Sequence, residues 1–168
     1  MHRNQYGFIK SRTIQDCLGW SFEFLHQCKA SGNACVVLKL DFEKAFDTME
    51  HSTILKIMEC KGFDERWIMW MQNILAYGSS AVLLNGVVGS EFHCKRGVRQ
   101  GDPLSPLLFV LTANMLKSMI NAAWQEGLLT LPIEQPASED YPVIQYADDT
   151  ILILPACLDQ RIKVKEIL

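Results

Sequence analysis

From Ser118 to Gln160 the chain contains neither lysine nor arginine, while seven acids fall in the same interval: Glu126, Glu134, Glu139, Asp140, Asp148, Asp149 and Asp159. Basic residues gather elsewhere, at Arg3, Lys10 and Arg12 and again at Lys95, Arg96 and Arg99. With a net charge of −3 the chain has no general basic coat for nucleic acid. An acidic pole beside basic patches suits a metal site that also holds phosphates. Cysteine lacks pattern rather than number: there are six, with no CxxC pair and no zinc-type Cys/His spacing, so buried free thiols in a reducing compartment are expected. No uninterrupted apolar run approaches the roughly 18 residues of a membrane span, and Met1-His2-Arg3-Asn4-Gln5-Tyr6 has no apolar core of a secretory signal. These absences predict an intracellular protein of cytoplasm and nucleus, without a membrane partner. Internal repeats, low-complexity tracts and linkers are also missing. What is present, 49% hydrophobic and 21% charged residues over 168 positions, suffices for one domain with a real core.

Periodicity and turn chemistry give the element order. Thr13 to Lys29 carries Ile14, Cys17, Leu18, Phe22 and Leu25 at helical spacing, with Gly32 ending it. The apolar, β-branched run Cys35–Asp41 predicts a mostly buried strand. His51–Lys61 and Asp64–Tyr77 read as helices, with Asp64 as N-cap of the second. Ala81–Leu84 and Val87-Val88 flank Asn85-Gly86, the pair favoured in a type I′ hairpin. A loop from Cys94 to Leu104 leads to Ser105-Pro106, a cap and first-turn pair opening a helix to about Trp124, with Gly127 beyond it. After a proline-containing loop from Thr130 to Pro142, Val143–Ala147 and Thr150–Leu154 read as strands joined by a tight turn holding Asp148 and Asp149. The order αβααββαββ plus a short final helix predicts an α+β fold with a largely antiparallel sheet.

Three places carry chemistry. Asp41 closes an apolar strand, which sets a carboxylate on a rigid element, though alone it is also an ordinary cap for the next turn. Asp148 and Asp149 are adjacent carboxylates between very apolar strands. One turn aspartate needs no explanation, but two repel one another unless a cation lies between them. A third carboxylate on a strand that can neighbour theirs favours a divalent metal site, with Mg²⁺ the ion that hard oxygen ligands prefer. Two such ions about 3.5 to 4 Å apart serve phosphoryl displacement by stabilising attacking and leaving oxygens. The third place is Arg96-Gly97-Val98-Arg99-Gln100-Gly101-Asp102-Pro103-Leu104-Ser105-Pro106. Its glycines allow close backbone approach to a ligand, the following helix N-terminus faces anions well, and Gln100 offers an amide. On its own it is also an ordinary loop and cap.

Taken in series these segments resemble the reverse transcriptases of non-LTR (LINE-type) retrotransposons. Leu38-Lys39-Leu40-Asp41-Phe42-Glu43-Lys44-Ala45-Phe46-Asp47 is similar to motif A, Arg99–Pro106 to motif B, and Tyr146-Ala147-Asp148-Asp149 to the x-A-D-D box of motif C. Gln5-Tyr6-Gly7-Phe8 with Arg12 resembles the fingers segment before motif A, and Leu83-Leu84-Asn85-Gly86 the hairpin before motif B. The resemblance covers residues 4 to about 154.

It implies the palm of a right-hand polymerase with part of the fingers: 1–34 in the fingers, 35–155 in the palm, 156–168 starting the next helix, and no thumb. It implies RNA-directed DNA polymerase activity on an RNA template and a DNA primer with dNTPs, using two Mg²⁺ ions or Mn²⁺ in their place. Asp41, Asp148 and Asp149 would be the catalytic carboxylates and metal ligands, with Asp41 and Asp148 the principal ones and the Phe42 backbone carbonyl beside them. Phe46 would be the steric gate against a ribose 2′-hydroxyl, otherwise a core aromatic. Gln100 and Gly101 would contact nucleotide and template, and Lys10 and Arg12 would approach the triphosphate, otherwise a solvated basic pair. Two other readings of the same residues stay open: a retroelement remnant without catalysis that binds RNA or protein, and a group II intron maturase-like protein. Oligomeric state is not legible.

Overall fold

The structure, a computed structural model, describes residues 3–133 and 140–168. The centre of the loop expected at Thr130–Pro142, with Glu134 and Glu139, lies outside the described residues, as do Met1 and His2. The chain divides into two compact units, Met1–Phe42 with Ala113–Leu168, and Glu43–Thr112.

The first unit is built on a three-stranded antiparallel sheet of order β1-β7-β6, with β1 at Cys35–Leu40, β6 at Val143–Tyr146 and β7 at Asp149–Pro155. Alternation along β6 and β7 gives the sheet two apolar faces. Val143, Leu152 and Leu154 share a cluster with Ile120 and Ala123 of α4 (Ser105–Gln125) and Val164 of α5 (Leu158–Ile167). Ile144 and Ile153 join Cys17, Phe24 and Cys28 of α1 (Ile14–Ala30) in another. Leu152, Ile153 and Leu154 are wholly buried, and full burial of each such side chain is worth about 1.5–3 kcal/mol. A capping box starts α1: Asp16 N–H donates to Thr13 Oγ1 (3.2 Å) and Thr13 N–H to Asp16 Oδ2 (3.1 Å).

Against the expectation of a mostly buried strand, β1 is half-buried, with Val37 and Lys39 exposed. It is an edge strand, so within the sheet only β7 covers it. The thiols are free, but only Cys17 and Cys28 are buried, and Cys60 and Cys157 are exposed. By length and apolar composition α4 also qualifies as a membrane-crossing segment, an exception to the reading of uninterrupted runs; more than half of it is buried within the protein, as in a core helix.

In the second unit α2 (His51–Cys60) and α3 (Glu65–Ala76, capped by Asp64) match their expected positions. The Asn85-Gly86 hairpin forms between β3 (Leu83–Leu84) and β4 (Val87–Val88), with both turn residues at positive φ, 51° and 81°, as a type I′ turn requires. An outer pair encloses it, β2 (Ser79–Ser80) with β5 (Phe92–His93). Ser105 does not cap α4 but is its first residue. Its hydroxyl donates to the Arg99 carbonyl (2.6 Å), while Asp102 Oδ1 accepts from Leu104 N–H (2.8 Å).

Candidate active site

Asp41 and Phe42 follow directly on β1. Leu40 lies opposite Thr150 of β7, so Asp41 leaves the sheet at the end where β7 begins with Asp149. β6 passes into β7 through only two residues, Ala147 and Asp148, because Tyr146 pairs with Asp149. The turn therefore holds one of the two adjacent aspartates rather than both, and Asp149 is the first strand residue. Ala147 makes so short a turn possible by taking φ 54°, the sign a type II′ turn needs at its first loop position. All three carboxylate residues are exposed at this end of the sheet.

Packing fixes the turn from behind. Asn4 to Tyr6 run beside β6 as a parallel bridge: Tyr6 N–H donates to Gln145 O (2.8 Å) and Gln145 N–H to Asn4 O (2.9 Å). Gly7 then meets the turn so closely that a Cβ on it would stand 2.2 Å from Ala147 N. The buried Gln145 side chain donates to Ala113 O (3.1 Å) and Thr150 Oγ1 (3.4 Å). Arg12, expected near a triphosphate, donates from its guanidinium to the Gln5 carbonyl and so supports the same bridge. Lys10 is exposed.

The electrostatics centre on a residue that the reading above passed over. Lys39 Nζ lies 2.8 Å from Asp149 Oδ1, both side chains being more than half exposed. The bonded Asp149 holds the Lys39 ammonium above its ordinary pKa, and the charges of Asp41 and Asp148 add to the effect. All three carboxylates thus act on one cation. Lys39 was legible in principle: it alternates with Leu38 and Leu40 and so shares a strand face with Asp41. Gly7 and Gln145 gave no comparable signal, because their roles depend on a bridge formed across 140 positions between Gln5 and Gln145.

Among the described residues no three His, Cys, Asp or Glu side chains converge to hold a metal ion. The donor chemistry nonetheless fits one, since hard carboxylate oxygens are what Mg²⁺ takes, and the ammonium seated on Asp149 marks where a cation is drawn.

The other expected residues belong to the second unit. The Phe46 ring packs on Phe109, centroids 5.4 Å apart. Gln100 is exposed, and its Nε2 donates to Asp47 Oδ1 at 3.4 Å. Gly101 takes φ 88°, with open space where a side chain would be, so its missing Cβ serves the backbone turn.

The sequence profile of reverse transcriptase (RNA-dependent DNA polymerase) matches residues 1–168. This chain belongs to the reverse transcriptase family. Curated relatives place it beside retrotransposons. It is 33% identical over 122 residues to the Pol polyprotein of the R2DM retrotransposable element of Drosophila melanogaster, covering 71% of this chain and 10% of the relative. The Pol polyprotein of the R2 element of Popillia japonica is 30% identical over 125 residues, covering 74% of this chain and 20% of the relative. A 149 kDa protein of transposon TX1 from Xenopus laevis is 28% identical over 161 residues, covering 95% and 12%. The resemblance to non-LTR reverse transcriptases therefore holds, and the chain spans a fifth or less of the length of these relatives. Among solved structures, a telomerase from Candida tropicalis in complex with a fragment of telomeric RNA superposes with a TM-score of 0.71 at 16% identity, covering 98% of this chain and 27% of that one. The apo telomerase of the same species gives 0.67 at 19%, covering 99% and 32%. The α+β polymerase-palm fold is shared with them.

Proposed function

We propose that this reverse transcriptase chain carries the nucleotidyl-transfer centre of an RNA-directed DNA polymerase from a non-LTR retrotransposon. One observation carries the reading: Asp41, Asp148 and Asp149, from positions more than a hundred residues apart, stand at one end of the sheet, with the Lys39 ammonium 2.8 Å from Asp149. An acidic cluster that stabilises one cation suits others that arrive with phosphates.

Asp41 and Asp148, with the Phe42 carbonyl, would hold divalent metal, and Asp149 would join them on leaving Lys39. Two Mg²⁺ ions, or Mn²⁺, would supply activation of a primer 3′-hydroxyl and charge neutralisation on a triphosphate. The residues of the chain then do the rest. Asp41 and Asp148, on a strand end and a two-residue turn, would supply the charged oxygen donors from ordered backbone. Phe46 presents its ring to the sugar and excludes a 2′-hydroxyl. Gln100 and Gly101 contact nucleotide and template. Lys10 is the exposed cation for the triphosphate, whereas the bond of Arg12 to Gln5 gives it a supporting place behind the turn. In this reading residues 1–34 contribute to the fingers, 35–155 to the palm and 156–168 to the helix that follows, and the partners are an RNA template, a DNA primer and dNTPs.

Primer extension tests it. With an RNA template, a DNA primer, dNTPs and Mg²⁺, the chain should extend the primer, and Asp148→Asn should lose about a hundredfold or more, the scale of removing a preorganised charge group. Equal extension by parent and variant contradicts the assignment.

A further inference from the structure

The segment bearing Phe46 and the loop bearing Gln100 are tied together by backbone hydrogen bonds. Val98 N–H donates to the Phe46 carbonyl (2.8 Å), and Gly97 N–H donates to the Met49 carbonyl (2.7 Å). Gly97 takes φ 80°, and a Cβ there would stand 2.8 Å from the Asp47 carbonyl oxygen and 3.0 Å from its Cα. The loop backbone thus lies flat on the residue that follows Phe46, and only glycine permits that approach. The Gln100 amide reaches the Asp47 carboxylate as well.

His51, the first residue of α2, closes the arrangement. Its Nε2 lies 2.8 Å from the Gly97 carbonyl oxygen. A carbonyl only accepts, so Nε2 carries the proton and donates. Gly97 is thereby held at both of its backbone groups, by its N–H to Met49 and its C=O to His51. The adjoining Val98 N–H fixes the carbonyl of Phe46, and the Phe46 ring is held against the buried Phe109.

We propose that His51, through the Gly97 peptide, is a positioning residue for nucleotide sugar selection: it holds the loop that holds Phe46, so discrimination against a ribose depends on an imidazole that touches no substrate. The proposal rests on the reading of Phe46 as a sugar gate. Gate selectivity is a shape effect, and a ring free to shift by a fraction of an ångström leaves room for a hydroxyl. The loss expected on freeing the loop is a large part of the effect of deleting the ring.

The test is equilibrium binding of dATP and ATP to the chain in Mn²⁺, with an RNA template annealed to a 3′-dideoxy-terminated DNA primer, scored as the ratio of the two dissociation constants. The parent should prefer dATP, and Phe46→Ala should bring the ratio close to one. His51→Leu, which keeps volume but cannot donate, should lower the ratio by about tenfold; His51→Gln, which can donate, should keep the parental ratio. In a Phe46→Ala background His51→Leu should change the ratio no further, since both act through one ring. Hydrogen exchange at the Val98 amide should speed up in His51→Leu and not in His51→Gln, whether or not nucleotide is bound. A His51→Leu variant that weakens both nucleotides equally makes the residue merely structural and overturns the proposal while the gate stands. An unshifted ratio in Phe46→Ala overturns the gate and the proposal with it, as does a parent that binds neither nucleotide. Should His51→Leu fail to fold, the proposal stands or falls on His51→Gln: a ratio or a Val98 exchange rate unlike the parent's overturns it.

Discussion

Gly7 lies against the backbone of Ala147, where a Cβ would come within 2.2 Å of the Ala147 nitrogen and 2.9 Å of its Cα. Backbone cannot yield as a flexible side chain does, so Gly7→Ala should displace the turn that carries Asp148 and destabilise the chain by about 1–3 kcal/mol, the usual range for overpacking. Gly19, inside α1 with nothing within 4 Å of its notional Cβ, offers the internal contrast. Gly19→Ala should stabilise by about 0.5–1 kcal/mol. Thermal or urea melts of the two variants should move in opposite directions, and a Gly7→Ala melt as high as the parent's would show that the turn is not wedged.

In the proposed site, Lys39, 2.8 Å from Asp149 Oδ1, would compete with metal for that carboxylate. Lys39→Met should tighten Mn²⁺ binding by a few-fold, a modest change because exposed ion pairs are weak. Calorimetric titration of parent and variant reads it directly. Weaker binding in the variant would mean that Lys39 supports the metal site rather than substituting for it.

Lys117 is the buried charge of α4, 1% exposed, donating to Tyr141 O (3.1 Å) and Val143 O (3.2 Å) with Asp140 at 3.8 Å. Burial depresses its pKa to about 8 despite the opposing pull of Asp140. Its unfolded value is near 10.5, so between pH 8 and 10.5 the unfolded chain binds more protons than the native one. Stability contributed by this residue therefore rises with pH across that window, and below pH 8 the cost of burying the charge is fully present. Relative to Lys117→Met, the parent should gain up to about 3 kcal/mol between pH 8 and 10.5. Urea melts at several pH values give the difference, and a constant difference would mean that the amine titrates normally.

How much of this was legible in the sequence follows from the range of the forces involved. Asn85-Gly86 and Asp64 announce structure through bonds to near neighbours, and both appear where expected; the Thr13–Asp16 capping box is equally local, though only the helix it opens was read. The alternation in β6 and β7 marks the two faces of the sheet. What the residues concealed was set by partners distant in the chain. Cys35–Leu40 reads as buried by composition, but its place at the sheet edge leaves Val37 half in solvent. The two-residue strands at Ser79–Ser80 and Phe92–His93 are too short to show a period. Asp149 looks like a turn residue until Ala147 takes the left-handed conformation that shortens the turn. The aspartates themselves stood out in the sequence as adjacent like charges between apolar strands, and the structure sets them with Asp41 at one end of the sheet. Their support from Gly7 and Gln145, which depends on the bridge between Gln5 and Gln145, was not legible there.

The central claim is that Asp41 and Asp148 form one divalent-ion site, and the most direct measurement is Mn²⁺ binding followed by the electron paramagnetic resonance signal of the free ion. The parent chain should withdraw Mn²⁺ from solution, with Mg²⁺ competing for the same places. The Asp41→Asn/Asp148→Asn double variant, folded by its melt, should bind at least about tenfold more weakly, since a neutral amide replaces each charged oxygen donor. Equal binding by parent and double variant would contradict the account.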